Sequence, residues 1–203
     1  MNKILLIFLH GYGANGKDLA SLGAFFKDLA QDVIIESPNA LEPMPDNRGG
    51  YQWFPIESMS EGYLKASCQR VSPNVVELIR NLQTKHGVGH QETFLIGFSQ
   101  GTMMVLYSSL VDHNLCRGVV GFSGGIYMDS ADIKADKSLK ISLIHGKNDD
   151  AVSSDASVKS HEFLQGQGFR SDLNLLDNLA HSIDMRGIKI AKEFIKNAAS
   201  NSH

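Results

Sequence analysis

The middle of the chain contains the sequence Ile96-Gly97-Phe98-Ser99-Gln100-Gly101-Thr102, directly after the apolar residues Phe94 and Leu95. An apolar run that enters a Gly-x-Ser-x-Gly turn and continues into a helix is typical of a nucleophile elbow. The serine backbone is strained in such a turn, and glycines flank it because side chains there would clash. The free N–H groups at the start of the helix favour negative charge near Ser99. The segment therefore predicts a reactive serine, and the alternative is a plain serine in a strand–helix turn.

Short aliphatic segments on both sides of this turn predict the strands of a parallel sheet. Most of them lack the apolar–polar alternation of a half-exposed strand, as expected for strands buried on both faces. The six predicted strands are Ile4–Leu9, Val33–Glu36, Phe94–Gly97, Gly118–Phe122, Ile141–Ile144 and Asp172–Leu176. The predicted helices are Asp18–Leu29, Val75–Thr84 (after Pro73), the segment from Met103 to Val111, Ala156–Gln165 and Met185–Ala198. This alternation predicts an α/β fold with a mostly parallel central sheet flanked by helices.

Length and charge narrow the class of protein further. The chain has 203 residues without an internal repeat or a linker, so we expect a single domain over residues 1–203. Its small, polar end, residues 197–203, is expected to fray. The net charge is -3 and no basic run is present, which argues against nucleic acid as a partner. No apolar stretch has the length of a membrane span.

The N-terminus and the two cysteines bear on the compartment. Residues 1–9 resemble a very short signal peptide, but His10-Gly11 follows in place of a small-residue cleavage site, so we interpret them as a buried strand. Cys68 and Cys116 form no Cys-x-x-Cys motif and no disulfide framework. A cytoplasmic location is therefore expected.

One long loop, from Pro38 to about Ser60, interrupts the alternation of strands and helices. A loop of this length in a compact domain is usually functional. It contains Trp53, the one tryptophan of the chain, beside Phe54. We predict that Trp53 and Phe54 form an apolar wall that binds an acyl chain, and the alternative is that Trp53 pins the loop onto the core.

A serine hydroxyl needs a base that takes its proton, and a group that orients the base. His161, His181 and His203 follow a credible acid in the chain, and of these three His181 lies in a loop between a predicted strand and a predicted helix. His181 is therefore the predicted base. The acid is expected just after the strand Ile141–Ile144, where the adjacent residues 149 and 150 are both aspartate. Spacing does not choose between them.

The developing oxyanion needs hydrogen-bond donors, and the chain offers two sources. One is the N–H of Gln100, the residue after the serine, and the other is the glycine-rich loop that follows the first strand. The glycines of that loop also fit a dinucleotide-binding pattern, but the preceding His10 is atypical of it. No group of Cys, His and Asp shows the spacing of metal ligands, so neither a metal nor a cofactor is expected.

Five segments, in this order along nearly the whole chain, resemble the phospholipase/carboxylesterase family, which includes the acyl-protein thioesterases and small bacterial carboxylesterases. They are Phe8-Leu9-His10-Gly11-Tyr12-Gly13, the loop Gly49–Phe54, Gly97-Phe98-Ser99-Gln100-Gly101, His145-Gly146-x-x-Asp149-x-x-Val152 and Ala180-His181-Ser182. The resemblance implies an α/β-hydrolase fold without a large cap domain. It also implies a homodimer.

The resemblance assigns roles within the predicted site. It implies Ser99 as nucleophile, His181 as base and Asp149 as the acid. It also implies an oxyanion hole made by the backbone N–H groups of Tyr12 and Gln100. The chain departs from the family at three positions. It has Tyr12 where leucine is common in the family, and Asn178 and Ala180 where glycine is usual.

The expected function is that of a serine hydrolase that cleaves carboxylic esters or thioesters of acyl chains through an acyl-enzyme. A small-molecule ester, a lipid ester or an acylated protein would each fit as substrate. Two alternatives stay open. One is a non-catalytic binding protein with the same fold, and the other is a lysophospholipase, peptidase or acyltransferase built on it.

Overall fold

A central sheet of six parallel strands organises the computed structural model, which describes residues 2–45 and 49–200. The strands in chain order are β1 (Lys3–Leu9), β2 (Asp32–Glu36), β3 (Glu42–Pro43), β4 (Tyr51–Gln52), β5 (Thr93–Phe98), β6 (Gly118–Phe122), β7 (Lys140–Gly146) and β8 (Ser171–Leu176). Strands β3 and β4 pair with each other in antiparallel fashion, and the other six form the sheet in the order β2-β1-β5-β6-β7-β8. The six strands predicted from the sequence are confirmed within two residues at either end, and so is the α/β fold with a parallel sheet.

The described part of the chain contains five α-helices. They are α1 (Gly16–Ala20), α2 (Glu61–His86), α3 (Gln100–Val111), α4 (Asp155–Gly166) and α5 (Met185–Ser200). Short 3₁₀ turns lie at Ser21–Phe26, His90–Glu92 and Ser130–Asp132. None of the helices within residues 2–45 and 49–200 combines the length and the apolar character needed to cross a bilayer.

Both faces of the sheet are covered, which explains the unbroken apolar run of β1. Its side chains alternate between the two faces, as they must in a strand. Leu5, Ile7 and Leu9 pack in the core on the side of α2 and α3. The intervening residues of β1 pack on the other side, with α5.

The helix predicted after Pro73 is longer than expected, because α2 begins at Glu61 and contains the proline. Pro73 has no N–H to donate to the Gln69 carbonyl, and a proline inside a helix normally costs about 3 kcal/mol. The Ser72 hydroxyl donates to that carbonyl instead, at 3.3 Å. A buried apolar stripe also holds the helix through the proline, and it consists of Leu64, Cys68, Val71, Val75, Ile79 and Leu82.

Two other helix predictions need correction. The helix expected over Asp18–Leu29 is split into α1 and the 3₁₀ turn Ser21–Phe26, where Gly23 passes close to Ile35 of β2. The frayed end expected from residue 197 is not observed up to Ser200, because α5 continues there with its small alanines buried. Residues 201–203 lie outside the described part of the chain.

The strand order creates a crevice at one edge of the sheet. The chain passes from β1 to β2 on one side, and β5 to β8 follow on the other side of β1. The order therefore reverses between β1 and β5, and ligands of open α/β sheets bind at such a switch point, beyond the carboxyl ends of the strands. The loops after β1, β5, β7 and β8 all begin at this edge, and they contain the residues predicted to react.

Candidate active site

Ser99 lies in a strained turn between β5 and α3. Its backbone angles are φ 54° and ψ −117°, a conformation that residues with a side chain rarely adopt. A Cβ at Gly97 would lie 2.5 Å from the Thr102 Cα, and one at Gly101 would overlap the Leu9 carbonyl oxygen of β1. Helix and strand therefore approach each other so closely that glycine is required on both sides of the serine. The Ser99 N–H donates to the Phe122 carbonyl at 2.9 Å, which ties the turn to β6.

Asp149 and His181 meet although 32 residues separate them. The distance from His181 Nδ1 to Asp149 Oδ2 is 2.7 Å, with the carboxylate fully buried and the imidazole 23% exposed. The other carboxylate oxygen, Oδ1, accepts from the N–H groups of Ala151 at 3.0 Å and Val152 at 2.9 Å. Asp150, the competing aspartate of the sequence, is exposed. The structure thus brings Asp149 to the histidine.

Asp149 is held in its ionised form. Burial alone would raise its pKa, but the Val152 N–H and the His181 side chain stabilise the charge, and together the pKa of Asp149 lies below its ordinary value. An ionised carboxylate only accepts hydrogen bonds, so His181 Nδ1 carries a proton and donates it to Oδ2. The Nε2 of a neutral His181 is then free to accept a proton from another group.

The imidazole of His181 lies against the residue that precedes Ser99. The ring centroids of Phe98 and His181 are 4.8 Å apart. Within residues 2–45 and 49–200, no hydrogen bond joins Ser99 Oγ to His181 Nε2. Hydrogen bonds of this kind are often long in the free state of an enzyme and tighten when the substrate binds.

The backbone N–H groups of Tyr12 and Gln100 lie at this edge without an acceptor among the described residues. Gln100 is the first residue of α3, where a helix leaves its N–H groups unpaired. Tyr12 lies in the loop after β1, and a Cβ at its neighbour Gly11 would be 3.3 Å from the Ser99 Cβ. Two hydrogen bonds hold the loop to Tyr51 of β4. The Gly13 N–H donates to the Tyr51 carbonyl at 2.9 Å, and the Tyr51 N–H donates to the Ala14 carbonyl at 2.7 Å. Both predicted donors of the oxyanion hole therefore lie next to the serine turn with their N–H groups unused.

His10 holds this loop in place through hydrogen bonds and is not a candidate base. It is fully buried, and its Nε2 accepts from the Ala40 N–H at 2.9 Å. Its Nδ1 must then be the protonated nitrogen, which donates to the Gly11 carbonyl at 2.7 Å. Burial lowers the pKa of His10, so the ring is neutral at physiological pH.

The side chain of Gln100 has a role that its position in the sequence does not indicate. It is fully buried, its Oε1 accepts from the Trp53 N–H at 3.0 Å, and its Nε2 donates to the Phe54 carbonyl at 2.7 Å. The residue after the serine therefore fastens the long loop to the elbow. Such a contact across 47 residues has no local sequence signal.

Trp53 and Phe54 do not form the acyl-binding wall predicted from the sequence. Both side chains are 0% exposed and belong to the core on the α2 side of the sheet. The Trp53 indole N–H donates to the His10 carbonyl at 2.9 Å. The alternative interpretation, in which Trp53 pins the loop onto the core, matches this burial.

Trp53→Ala is expected to lower the free energy of unfolding by about 3 to 5 kcal/mol, because it opens a large cavity and leaves the His10 carbonyl without its donor. The measurement is urea unfolding of the variant against the wild type. Leu41→Ala is the control, because Leu41 lies in the same loop but is 41% exposed. A loss below about 1 kcal/mol in Trp53→Ala would show that the tryptophan does not anchor the loop.

The loop that carries His181 forms by close packing against the end of β7. A Cβ at Gly146 would overlap the Leu179 carbonyl oxygen, and the Asn148 N–H donates to that oxygen at 3.0 Å. Asn178, where the family usually has glycine, adopts φ 55°. Asparagine tolerates this left-handed conformation better than most residues, so the turn survives the replacement.

The two cysteines do not offer a second nucleophile. Cys68 and Cys116 are free and buried, and burial raises the pKa of each thiol to about 12, so neither forms a thiolate at neutral pH. In the part of the chain that the structure describes, no three His, Cys, Asp or Glu side chains are grouped as metal ligands.

The chain is similar to known esterases and thioesterases. The family model described as phospholipase/carboxylesterase matches residues 2–199. An esterase of Escherichia coli K12, YpfH, is 32% identical over 95% of this chain and 82% of its own length. The crystal structure of esterase PE8 has a TM-score of 0.88 at 31% identity and covers 97% of this chain and 93% of its own. Acyl-protein thioesterase 1 of Eremothecium gossypii is 24% identical over 96% of this chain and 87% of its own length.

Proposed function

This chain belongs to the phospholipase/carboxylesterase family, and from that premise we propose that it hydrolyses acyl esters or thioesters with Ser99, His181 and Asp149 as a catalytic triad. Its class is that of the carboxylesterases and acyl-protein thioesterases, a hydrolase class. The observation that carries the triad is the hydrogen bond between His181 Nδ1 and the buried Asp149, beside the strained Ser99 turn.

In the first half of the reaction, Ser99 Oγ attacks the acyl carbonyl carbon while His181 Nε2 takes the hydroxyl proton. Asp149 keeps the Nδ1–H tautomer and stabilises the imidazolium that forms, without taking the proton itself. The bond to the leaving alcohol or thiol then breaks, and His181 returns the proton to that leaving group. The acyl group stays on Ser99 as an ester.

The carbonyl oxygen becomes negatively charged in each tetrahedral intermediate. The unused N–H groups of Tyr12 and Gln100 are the proposed donors to it, helped by the N-terminus of α3. Donors that are already in place need no reorganisation during the reaction, and removing one such donor typically slows an enzyme by about 10² to 10³.

In the second half, His181 takes a proton from water, which attacks the acyl-enzyme. The tetrahedral intermediate collapses, Ser99 Oγ leaves, and His181 returns the proton to it. The products are a carboxylic acid and the free enzyme. Every proton in this scheme passes through one nitrogen, Nε2 of His181.

The test of the proposed function is hydrolysis of p-nitrophenyl esters from acetyl to palmitoyl, followed by labelling with a fluorophosphonate probe. We expect turnover, and we expect the probe to modify Ser99. The chain length with the highest kcat/KM separates a small-ester enzyme from one that acts on long acyl chains. A protein that neither turns over any ester nor reacts with the probe would instead be a non-catalytic binding protein of this fold.

The choice among natural substrates is part of the proposal. A lipid ester and an acylated protein both present an acyl carbonyl that the triad accepts, and the acyl-protein thioesterase relatives support the second. We further propose that the enzyme works in a reducing compartment such as the cytoplasm, since Cys68 and Cys116 are free. A homodimer is proposed on the family resemblance alone.

A further inference from the structure

The buried side chain of His145, at the end of β7, contacts the same carboxylate oxygen that holds His181. His145 Nε2 lies 3.1 Å from Asp149 Oδ2 and 2.9 Å from the Val152 carbonyl oxygen. Neither the His145 nor the Asp149 side chain is exposed. Two imidazoles therefore share Asp149 Oδ2, at 3.1 and 2.7 Å.

The neighbours of His145 determine where its proton lies. The atoms facing Nε2, a carboxylate oxygen and a carbonyl oxygen, can only accept hydrogen bonds, so Nε2 must carry a proton. On the other side of the ring, Nδ1 is 2.7 Å from Ser157 Oγ, which also lies 2.8 Å from the Gly124 carbonyl. The single Ser157 proton satisfies either Nδ1 or that carbonyl. The ring is neutral in the first case and doubly protonated in the second, and Nε2–H donates to Asp149 in both.

Resting on the proposed triad, we propose that His145 is a positioning residue that donates to Asp149 Oδ2 and weakens the hold of this carboxylate on the His181 imidazolium. A second donor stabilises the charge on the carboxylate, so the carboxylate is less basic and attracts the His181 proton less strongly. The consequence is a base that releases its proton more readily. The low-pH side of the pH–rate profile, which reports on the base, should then depend on this hydrogen bond.

The other charged side chains around His145 and Asp149 form ion pairs elsewhere or are exposed to solvent. Lys147 pairs with Asp177 at 2.7 Å, and Asp184 pairs with Arg186, also at 2.7 Å. Two further aspartates on the adjoining loop and on α4 are exposed, and they are Asp150 and Asp155. Among the described residues, the charge on Asp149 is thus contacted by the two imidazoles and by backbone N–H groups.

The first experiment measures kcat/KM against pH for the wild type, His145→Leu and His145→Gln. The acid limb of this profile is its low-pH side, where kcat/KM falls as the base becomes protonated. Removing the donor in His145→Leu is expected to raise the apparent pKa of the acid limb by about 0.5 to 1 unit, because Asp149 then holds the His181 proton more tightly. The amide N–H of glutamine can replace Nε2–H, so His145→Gln is expected to bring the limb back towards the wild type. An acid limb that does not move, or that moves down, in His145→Leu overturns the proposal.

Ser160→Ala is the matched control for general damage to this region. Ser160 is buried one helical turn from Ser157, and its hydroxyl binds the Ala156 carbonyl and the Ile126 N–H, away from His145. We expect this variant to lose stability without any movement of the acid limb. A comparable movement there would mean that loosening of α4, and not the lost donor, shifts the profile.

A second measurement does not depend on activity or on any variant that folds poorly. Long-range ¹H–¹⁵N correlation of the wild-type imidazoles at pH 7 is expected to show a protonated Nε2 in His145. An unprotonated Nε2 would overturn the proposal even in an active enzyme. A protonated Nε2 in a protein without esterase activity would place the failure in the proposed function and leave the His145–Asp149 hydrogen bond standing.

Discussion

Ser99→Ala lowers kcat for p-nitrophenyl ester hydrolysis by about 10⁵- to 10⁶-fold, if Ser99 is the nucleophile. Without Oγ no acyl-enzyme forms, and only the oxyanion donors remain to favour direct attack by water. Alanine occupies the same strained backbone as serine, and no hydrogen bond to a described residue is lost. The free energy of unfolding should therefore stay within about 0.5 kcal/mol of the wild type.

Ser108→Ala is the control for this experiment. Ser108 lies on α3 and is fully buried. Its hydroxyl, like that of Ser99, has no partner among the described residues. Its kcat should equal that of the wild type. A Ser99→Ala enzyme that keeps more than about a hundredth of the activity would contradict the nucleophile assignment, because the loss of a triad serine costs several orders of magnitude in kcat.

Asp149→Asn is expected to lower kcat by about 10³- to 10⁴-fold, for a reason that the surrounding hydrogen bonds make specific. Asp149 Oδ1 accepts from two backbone N–H groups, so the amide oxygen of asparagine would take that place. The amide NH₂ then faces His181 Nδ1, which must become the acceptor. The imidazole proton moves to Nε2, and this tautomer cannot take a proton from Ser99.

The neighbouring Asp150→Asn tests whether this effect belongs to one position. Asp150 is exposed, and we expect its replacement to change kcat by less than about twofold. A large loss in Asp150→Asn together with a small one in Asp149→Asn would reverse the assignment of the acid. Steady-state kinetics of the two variants at pH 8 decide between these results.

Asp149→Asn also has a pH-dependent effect on stability. The pKa of Asp149 is lowered in the folded protein, so its carboxylate contributes stability above the unfolded-state pKa, near 4, and loses that contribution as pH falls through the folded-state value. Asp149→Asn should therefore be less stable than the wild type at pH 7. The difference should shrink as the pH falls below about 4, which denaturant unfolding at both pH values can measure.

Much of the fold follows from local sequence because strands buried on both faces leave a clear signal. Long aliphatic runs such as Ile4–Leu9 are typical of strands that a folded domain buries on both faces. The position of Pro73 misled the helix prediction. Its local cost is offset by contacts that α2 makes with strands and helices far away in sequence, which no window around the proline contains.

Individual site residues were predictable to different degrees. Ser99 and His181 stand in patterns that chemistry constrains, a glycine-flanked turn and a loop after a late strand. The pattern of residues did not separate Asp149 from Asp150, since one backbone step decides which carboxylate faces the sheet. Trp53 illustrates the opposite error, because an aromatic side chain in a long loop suits a binding wall and a core anchor equally well.

The sequence by itself determined the order of strands and helices, the sharp turn at residue 99 and the membership of the chain in its family. These depend on local sterics and on runs of apolar side chains, which act over a few residues. Tertiary structure alone decided that Asp149 meets His181, that Gln100 fastens the long loop and that His145 shares the carboxylate. The first two contacts join residues that are 32 and 47 positions apart, and their hydrogen bonds, at 2.7 and 3.0 Å, form because the parallel strands bring those loops to one edge of the sheet. The third contact, at 3.1 Å, forms where β7 ends and Asp149 turns back towards His145.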